Sequence, residues 1–316
     1  MPYSNYPNGF TKGVTIRGIP LTMAYPGHVY WVDGSSVTPP VGVVGGQDGN
    51  PGTFTQPFAT IDYAIGRCLA SRGDIIMVKP GHSETIETDG GLAADVAGVA
   101  IIGLGTGTLR PKIVIDTDAA AAVAVSAANV TFMNIVMEAS FADITNAVDV
   151  TATNAAFINC EWQEEGADLN FLDIIACTGA ANTADGLTVI GCRSTSIDAG
   201  INSFINITDD LDGMVCNDNY VNHDHANALA MVLQATGKDL TNLEFLRNRY
   251  MSLKASGDIL IDNDTAANSG IAANNYALHA DTGTEVLFDC DGIGLFENYA
   301  TAVVTASGYL LPAADS

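Results

Sequence analysis

The chain has 316 residues, 47% of them apolar and 15% charged, with 12 basic against 36 acidic side chains and a formal charge of −24. That apolar content excludes a disordered polymer, no apolar run reaches the ~18 residues of a membrane span, and the charge repels phosphates, so neither membrane insertion nor nucleic-acid binding is expected. The opening Met1-Pro2-Tyr3-Ser4-Asn5 lacks the basic and apolar regions of a secretion signal.

Residues 1–47 form the first segment. Tyr3, Tyr6, Phe10, Tyr25, Tyr30 and Trp31 alternate there with Pro2, Pro7, Pro20 and Pro26, and short strands are expected around Val14–Ile19 and His28–Val32. With too little apolar periodicity for a core of its own, this reads as an extended arm that folds against another surface. Tyr3, Tyr6, Phe10, Arg17, Tyr25 and Trp31 are the candidate partner contacts.

Residues 48–95 read as a cap. Asp48-Gly49-Asn50-Pro51-Gly52-Thr53 is a turn cluster, and Ile61, Ala64, Ile65, Cys68 and Leu69 then fall at i, i+3, i+4, i+7 and i+8, one stripe of a short amphipathic helix. Thr60 is the expected N-cap and Gly73 stands where a helix C-terminus tolerates positive φ. Gly73 to His82 follows as a buried strand ending in a Pro-Gly turn. A stack of parallel strands has an open end, and an amphipathic plug shields it from water.

From residue 96 to 316 the chain repeats. Val130–Asn134, Ala155–Asn159, Leu187–Gly191, Gly213–Asn217, Leu243–Arg247 and Ile271–Asn275 end 25, 32, 26, 30 and 28 residues apart, and four of the six end in Asn. A second series begins at Val148, Ile174, Ile205, Val232 and Ile259. Each coil therefore supplies at least two short half-buried strands, with Asn and Gly at bends that need the left-handed region. No long helical pattern separates them, so the prediction is an all-β chain, a right-handed parallel β-helix of about seven coils stacked ~4.8 Å apart. A sandwich of antiparallel hairpins is the competing architecture.

The chemistry-bearing residues are sparse. Cys68, Cys160, Cys177, Cys192, Cys216 and Cys290 form no C-x-x-C pair, and stacked inward positions would make Cys160, Cys192 and Cys216 a buried thiol ladder, as suits a reducing cytoplasm. His223-Asp224-His225 is read as a solvated bend and not as a metal site. The Asp209–Asp212, Asp262–Asp264 and Asp289–Gly292 clusters complete no calcium loop, and Gly103-Leu104-Gly105-Thr106-Gly107 precedes a strand where a phosphate loop needs a helix. Glu161, Glu164, Glu165 and Asp168 flank Trp162, an aromatic able to stack on a sugar, though packing is the commoner role. Arg193, Lys238, Arg247, Arg249 and Lys254 are the cations of the coil region; Arg247 and Arg249 could share a face. No catalytic, cofactor or metal residue is assigned.

Charge divides the chain: residues 1–112 hold seven basic and eight acidic side chains, residues 113–316 five and twenty-eight. The front can meet another protein, whereas the shaft repels like-charged surfaces.

The run from Ser4-Asn5-Tyr6-Pro7-Asn8-Gly9-Phe10 to Gly18-Ile19-Pro20-Leu21, with the Asp48–Ile61 and Gly73–His82 blocks, resembles a group of tailed-bacteriophage virion proteins with a pectin-lyase-like β-helix; the similarity covers about residues 4–115. The resemblance implies a non-enzymatic head-decoration or cement protein on the capsid surface, made in the bacterial host cytoplasm, bound to the major capsid protein or other virion proteins and commonly trimeric, with no cofactor. No pectate-lyase catalytic motif carries over. A tail-associated host-glycan binder or depolymerase is the alternative.

Overall fold

The computed structural model describes residues 27–34, 41–166, 168–197, 200–223, 230–252, 260–262, 267–279, 288–289 and 291–302, with the short strands Thr15–Ile16, Ile19–Pro20 and Tyr309–Leu310. Within these residues the chain winds into a right-handed parallel β-helix with three sheets. The only α-helix described, α1 (Ile61–Ile65), lies near its start.

Sheet I has ten parallel strands, from Val29–Val32 and Ile75–Val78 through Thr131–Met133, Ala156–Ile158, Thr188–Ile190, Val215–Asn217, Leu243–Leu246 and Gly270–Ala273 to Ile293–Phe296. Sheet II runs from Ser83–Ile86 to Tyr299–Ala302, where Tyr309–Leu310 adds an antiparallel edge. Sheet III has eight strands, from Asp89–Ala94 to Phe288–Asp289. The sequence reading saw sheets I and III; sheet II is a third series it did not resolve. Coiling also begins before residue 96, since Val29–Val32 is already paired in parallel with Ile75–Val78. Thr15–Ile16 and Ile19–Pro20 pair as an antiparallel hairpin.

Parallel register stacks like positions on like, so the interior is built of columns. In sheet I, Ile101, Phe132, Phe157, Val189, Cys216, Phe245 and Ala272 follow one another, and the rings of Phe132 and Phe157 stack at 5.6 Å with 11° between their planes. In sheet III the column is Leu92, Val123, Val148, Ile175, Ile205, Val232, Ile261 and Phe288. The register also moves some blocks of the two expected series by one residue: Val215 and not Met214 stands opposite Thr188, Ile271 and not Ala272 opposite Glu244, and Ile175 and not Ile174 opposite Val148 and Ile205.

The cap helix is held at its start by three oxygens. Asp48 Oδ1 accepts from the N–H groups of Ala59 (2.9 Å) and Thr60 (3.2 Å), Thr60 Oγ1 from Tyr63 N–H at 3.3 Å, and Glu84 Oε2 from Ile61 N–H at 2.9 Å. Thr60 is the N-cap, as expected. The helix is shorter than its stripe, however. It ends at Gly66, and Leu69 is 58% exposed, because the Asp74 carboxylate takes the Leu69 N–H at 2.8 Å and draws the chain out of the helix. Gly73, at φ +77°, belongs to the turn that follows.

Candidate functional site

The corner between sheets I and II organises the molecular surface. From Thr131 onward every coil crosses it in two residues, the first of which is left-handed: Asn134, Asn159, Gly191, Asp218, Arg247, Asn274 and Glu297 all have φ between 49° and 66°. Most are Asn, Asp or Gly, the residues that accept this conformation at least cost. At Gly191 a Cβ would come within 2.6 Å of Asn159 Oδ1.

The second corner residue points inward: Ile135, Cys160 and Cys192, then Asn219, Asn248, Asn275 and Asn298, all buried. The four asparagines form a ladder. Cys192 N–H donates to Asn219 Oδ1 (2.9 Å), Asn219 N–H to Asn248 Oδ1 (3.1 Å), Asn248 N–H to Asn275 Oδ1 (2.9 Å) and Asn275 N–H to Asn298 Oδ1 (3.2 Å). Their amides donate back to the carbonyls of Val189, Cys216, Phe245 and Ala272 at 2.8–3.0 Å. Buried backbone groups at a sharp bend are thereby satisfied without water.

From Lys112 onward the first residues of the sheet II strands stand in one outward column, Lys112, Val136, Glu161, Arg193, Tyr220, Arg249, Tyr276 and Tyr299, and from Val136 on the two-residue corner fixes their place. Toward the start of the shaft its charges are paired, Arg110 with Glu161 at 2.6 Å and Lys112 with Glu138 at 2.8 Å. Further along, the Arg193 guanidinium lies over the Tyr220 ring at 5.3 Å and the Tyr276 and Tyr299 rings stack at 5.5 Å. Arg247 binds Asp218 through two hydrogen bonds of 2.7 and 2.8 Å, which hold that carboxyl below its usual range. A hollow of about 490 Å³ opens between this pair, Arg249 and Tyr276, and another of about 520 Å³ between Arg110, Glu161 and Arg193. Arg247 and Arg249 thus share one hollow, and the acid partner that the sequence left unspecified is Asp218.

Other candidates resolve differently. Trp162 is fully buried, its ring 6.0 Å from that of Phe157 and 5.7 Å from that of Phe204, so it cannot stack on a sugar. The acids around it serve the fold: Glu164 accepts from Ile197 N–H and Glu165 from the Ser140 hydroxyl, both at 2.6 Å. His223 is likewise buried and not solvated; its Nε2 lies 3.0 Å from Ser194 Oγ, because alternation along its strand turns it inward. His225 lies outside the described residues. Cys160 and Cys192 stack in the corner column, while Cys216 occupies the neighbouring sheet I column. Burial pushes the Cys68 and Cys177 thiols up to about 12. Among the described residues no group of three His, Cys, Asp or Glu side chains is placed to hold a metal. The glycine-rich segment opens into a single 3₁₀ turn, Gly107–Leu109, and then the strand Lys112–Ile115.

Of the arm contacts, Tyr3, Tyr6, Phe10, Arg17 and Tyr25 lie outside the described residues. Trp31 is half-buried in the first strand of sheet I, with its ring edge-on to Phe54 at 4.9 Å. At the start of the neighbouring strand, buried Asp74 accepts from Arg72 (2.6 and 2.7 Å) and from the N–H groups of His28 and Leu69 (2.7 and 2.8 Å). Burial alone would raise that carboxyl, but these four donors win and lower it to about 2.

The sequence matches no protein-family model and no curated protein. Among solved structures, a rhamnogalacturonan lyase is similar with a TM-score of 0.57 and 14% identity, over 87% of this chain and 74% of that one. Pectate lyase Pel9A gives 0.48 and 13%, over 87% and 77%. A Geobacillus virus E2 protein, ORF18, gives 0.34 and 10%, over 77% and 57%. The likeness to the rhamnogalacturonan lyase is one of fold, the pectin-lyase-like parallel β-helix.

Proposed function

We propose that this chain is a structural, non-enzymatic component of a tailed-bacteriophage virion, a homotrimeric capsid decoration or cement protein that binds the major capsid protein through its N-terminal region and sits on the capsid surface. The observation that carries this reading is the direction of its charge. Strands of successive coils pair in chain order, so position in the chain is height along the shaft. Among the described residues, 27–112 carry five basic against eight acidic side chains and 113–302 four against twenty-one, so the division is an axial one: a nearly neutral end bearing α1 and the first strands, and a flank that is strongly acidic. Such a rod presents its neutral end to a partner and is repelled from like-charged neighbours along its length. The phage-like blocks within residues 4–115 supply the kind of partner.

The test is removal of residues 1–26, which spares the first strand and its Trp31–Phe54 contact. The truncated chain keeps the β-sheet circular dichroism of the full chain and no longer binds purified phage heads. Retained head binding sinks the assignment. Release of reducing ends or unsaturated products from host polysaccharide by the full chain would favour the depolymerase reading instead.

A further inference from the structure

We infer that the outward Arg193–Tyr220–Arg249–Tyr276–Tyr299 column is a self-association surface, and that its occupant is the acidic corner between sheets III and I of a second copy at the same height. The inference rests on the homo-oligomer part of the reading above and not on the capsid assignment.

The column is unusual for this molecule. Residues 113–316 carry five cations against twenty-eight acids, yet neither Arg193 nor Arg249 forms an ion pair among the described residues. Both are exposed, two coils and so roughly 10 Å apart. Tyr276 and Tyr299 are 49% and 36% exposed, and Phe296 and Ile271, beside the same corner, are 58% and 49% exposed. Exposed aromatic rings rimmed by unpaired arginines have the composition of a protein–protein interface and not of a solvated shaft. The two-residue corner keeps the column free of protruding loops.

The complement lies across sheet I. Asp185, Asp209, Asp210, Asp212 and Asp239 gather at the opposite corner, where Lys238 is bound to Asp209 at 2.6 Å. Hydrogen bonds from Lys238 to Asp209 and from Thr241 to Asp212 lower those two carboxyls, which keeps both of them charged at neutral pH. Asp185 belongs to the coil of Arg193, Asp209 to Asp212 to that of Tyr220, and Asp239 to that of Arg249.

Symmetry makes this alignment matter. Rotation about an axis parallel to the shaft preserves height, so a ring of copies brings the arginine column of one against the aspartate ridge of the next, coil for coil. A two-fold contact through the column would instead set arginine against arginine. At a net charge of −24 per chain, association needs such a local complement.

The full-length chain is examined by analytical ultracentrifugation at low and high salt. Wild type sediments as an oligomer that weakens with salt. R193E/R249E raises the dissociation constant at least tenfold with unchanged circular dichroism and thermal midpoint. Adding lysines at the exposed ridge positions of the same two coils, A181K/T236K, restores association to R193E/R249E. Wild type that is a single copy throughout, R193E/R249E at wild-type mass, no rescue, or a polyuronate bound by a chain that stays monomeric would each overturn the inference. Head binding is measured in parallel: heads bound by a monomeric chain leave the capsid reading standing without this surface, and self-association without head binding does the reverse.

Discussion

Asn248 receives the backbone N–H of Asn219 on its Oδ1 at 3.1 Å and returns an amide N–H to the carbonyl of Cys216 at 2.8 Å, so one side chain closes the bend of the coil that precedes it. Asn248→Ala leaves the buried Asn219 N–H without its acceptor and takes the amide donor away from the Cys216 carbonyl, and at ~1–3 kcal/mol for an unsatisfied buried group the expected loss is about 2 kcal/mol. Urea denaturation checks this. A loss below about 1 kcal/mol would mean that water replaces the amide and that the ladder is not what holds the corner.

Cys192 occupies the same corner position two coils before Asn248, and its thiol is 3.3 Å from the Phe157 carbonyl, where each ladder asparagine places its amide. Cys192→Asn should therefore extend the ladder by one step at a change in stability within about 1 kcal/mol, since the shapes are close and an amide donates better than a thiol. Cys192→Asp, which buries an unpaired charge, should be strongly destabilising. Equal melting points for the two would refute the equivalence.

Asp74 predicts an acid limb. Its carboxyl is lowered from the ordinary 3.8 to about 2 in the folded chain. A depressed carboxyl stabilises the fold above its unfolded value and loses that contribution as pH falls through the folded one, so about 2 kcal/mol disappears between roughly pH 4 and pH 2. Asp74→Asn should lower stability at pH 7 by at least that amount, because it leaves the Arg72 guanidinium unpaired, and should flatten the pH dependence in that window. Equilibrium unfolding from pH 2 to 7 measures both.

Trp162 fills the interior of sheet II. Trp162→Ala should cost about 3–5 kcal/mol through the cavity it leaves. Its indole N–H has no hydrogen-bond partner among the described residues. Trp162→Phe therefore gives up volume but no satisfied bond, and the expected cost is under about 2 kcal/mol. Thermal melts of both variants suffice, and a Phe variant as damaged as the Ala variant would contradict this packing role.

Arg247 sits at φ +56° in a slot where Asn134, Asn159 and Asn274 stand in other coils. Its pair with Asp218 is about half exposed on both sides and contributes little. Arg247→Asn should hold stability within about 1 kcal/mol, whereas Arg247→Val, β-branched in the left-handed region, should lose about 1–3 kcal/mol. If both melt alike, backbone conformation does not select the residue there.

Much of this architecture was legible in the sequence, and the failures have physical causes. Sheet I was readable because Phe132, Phe157 and Phe245 each stand at the centre of a short, mostly apolar block that recurs at coil spacing, two of the three closing on Asn. Its block ending at Asn275 slips because asparagine does two different jobs in adjacent slots, left-handed at Asn274 and buried in the ladder at Asn275, and the block ending at Asn217 slips because that asparagine is still in the strand while Asp218 takes the left-handed slot. Sheet II escaped notice because strands such as Arg193-Ser194-Thr195-Ser196 turn small polar residues inward, and Ser194, Ser196 and His223 erase the period-two apolar signal. The arginine–tyrosine column was invisible for a different reason: its members lie 23 to 29 residues apart and become neighbours only once the register is known. Trp31 fell within the arm by sequence because its strand partner, Met77, comes 46 residues later.

The constant two-residue crossing between sheets I and II has a practical corollary. Every difference in coil length after Thr131 is absorbed at the other two bends, so those are the places where foreign peptides can be grafted or whole turns resized without disturbing the asparagine spine. A single residue inserted into the short crossing would break that spine and swing the next strand's side chains from one face to the other.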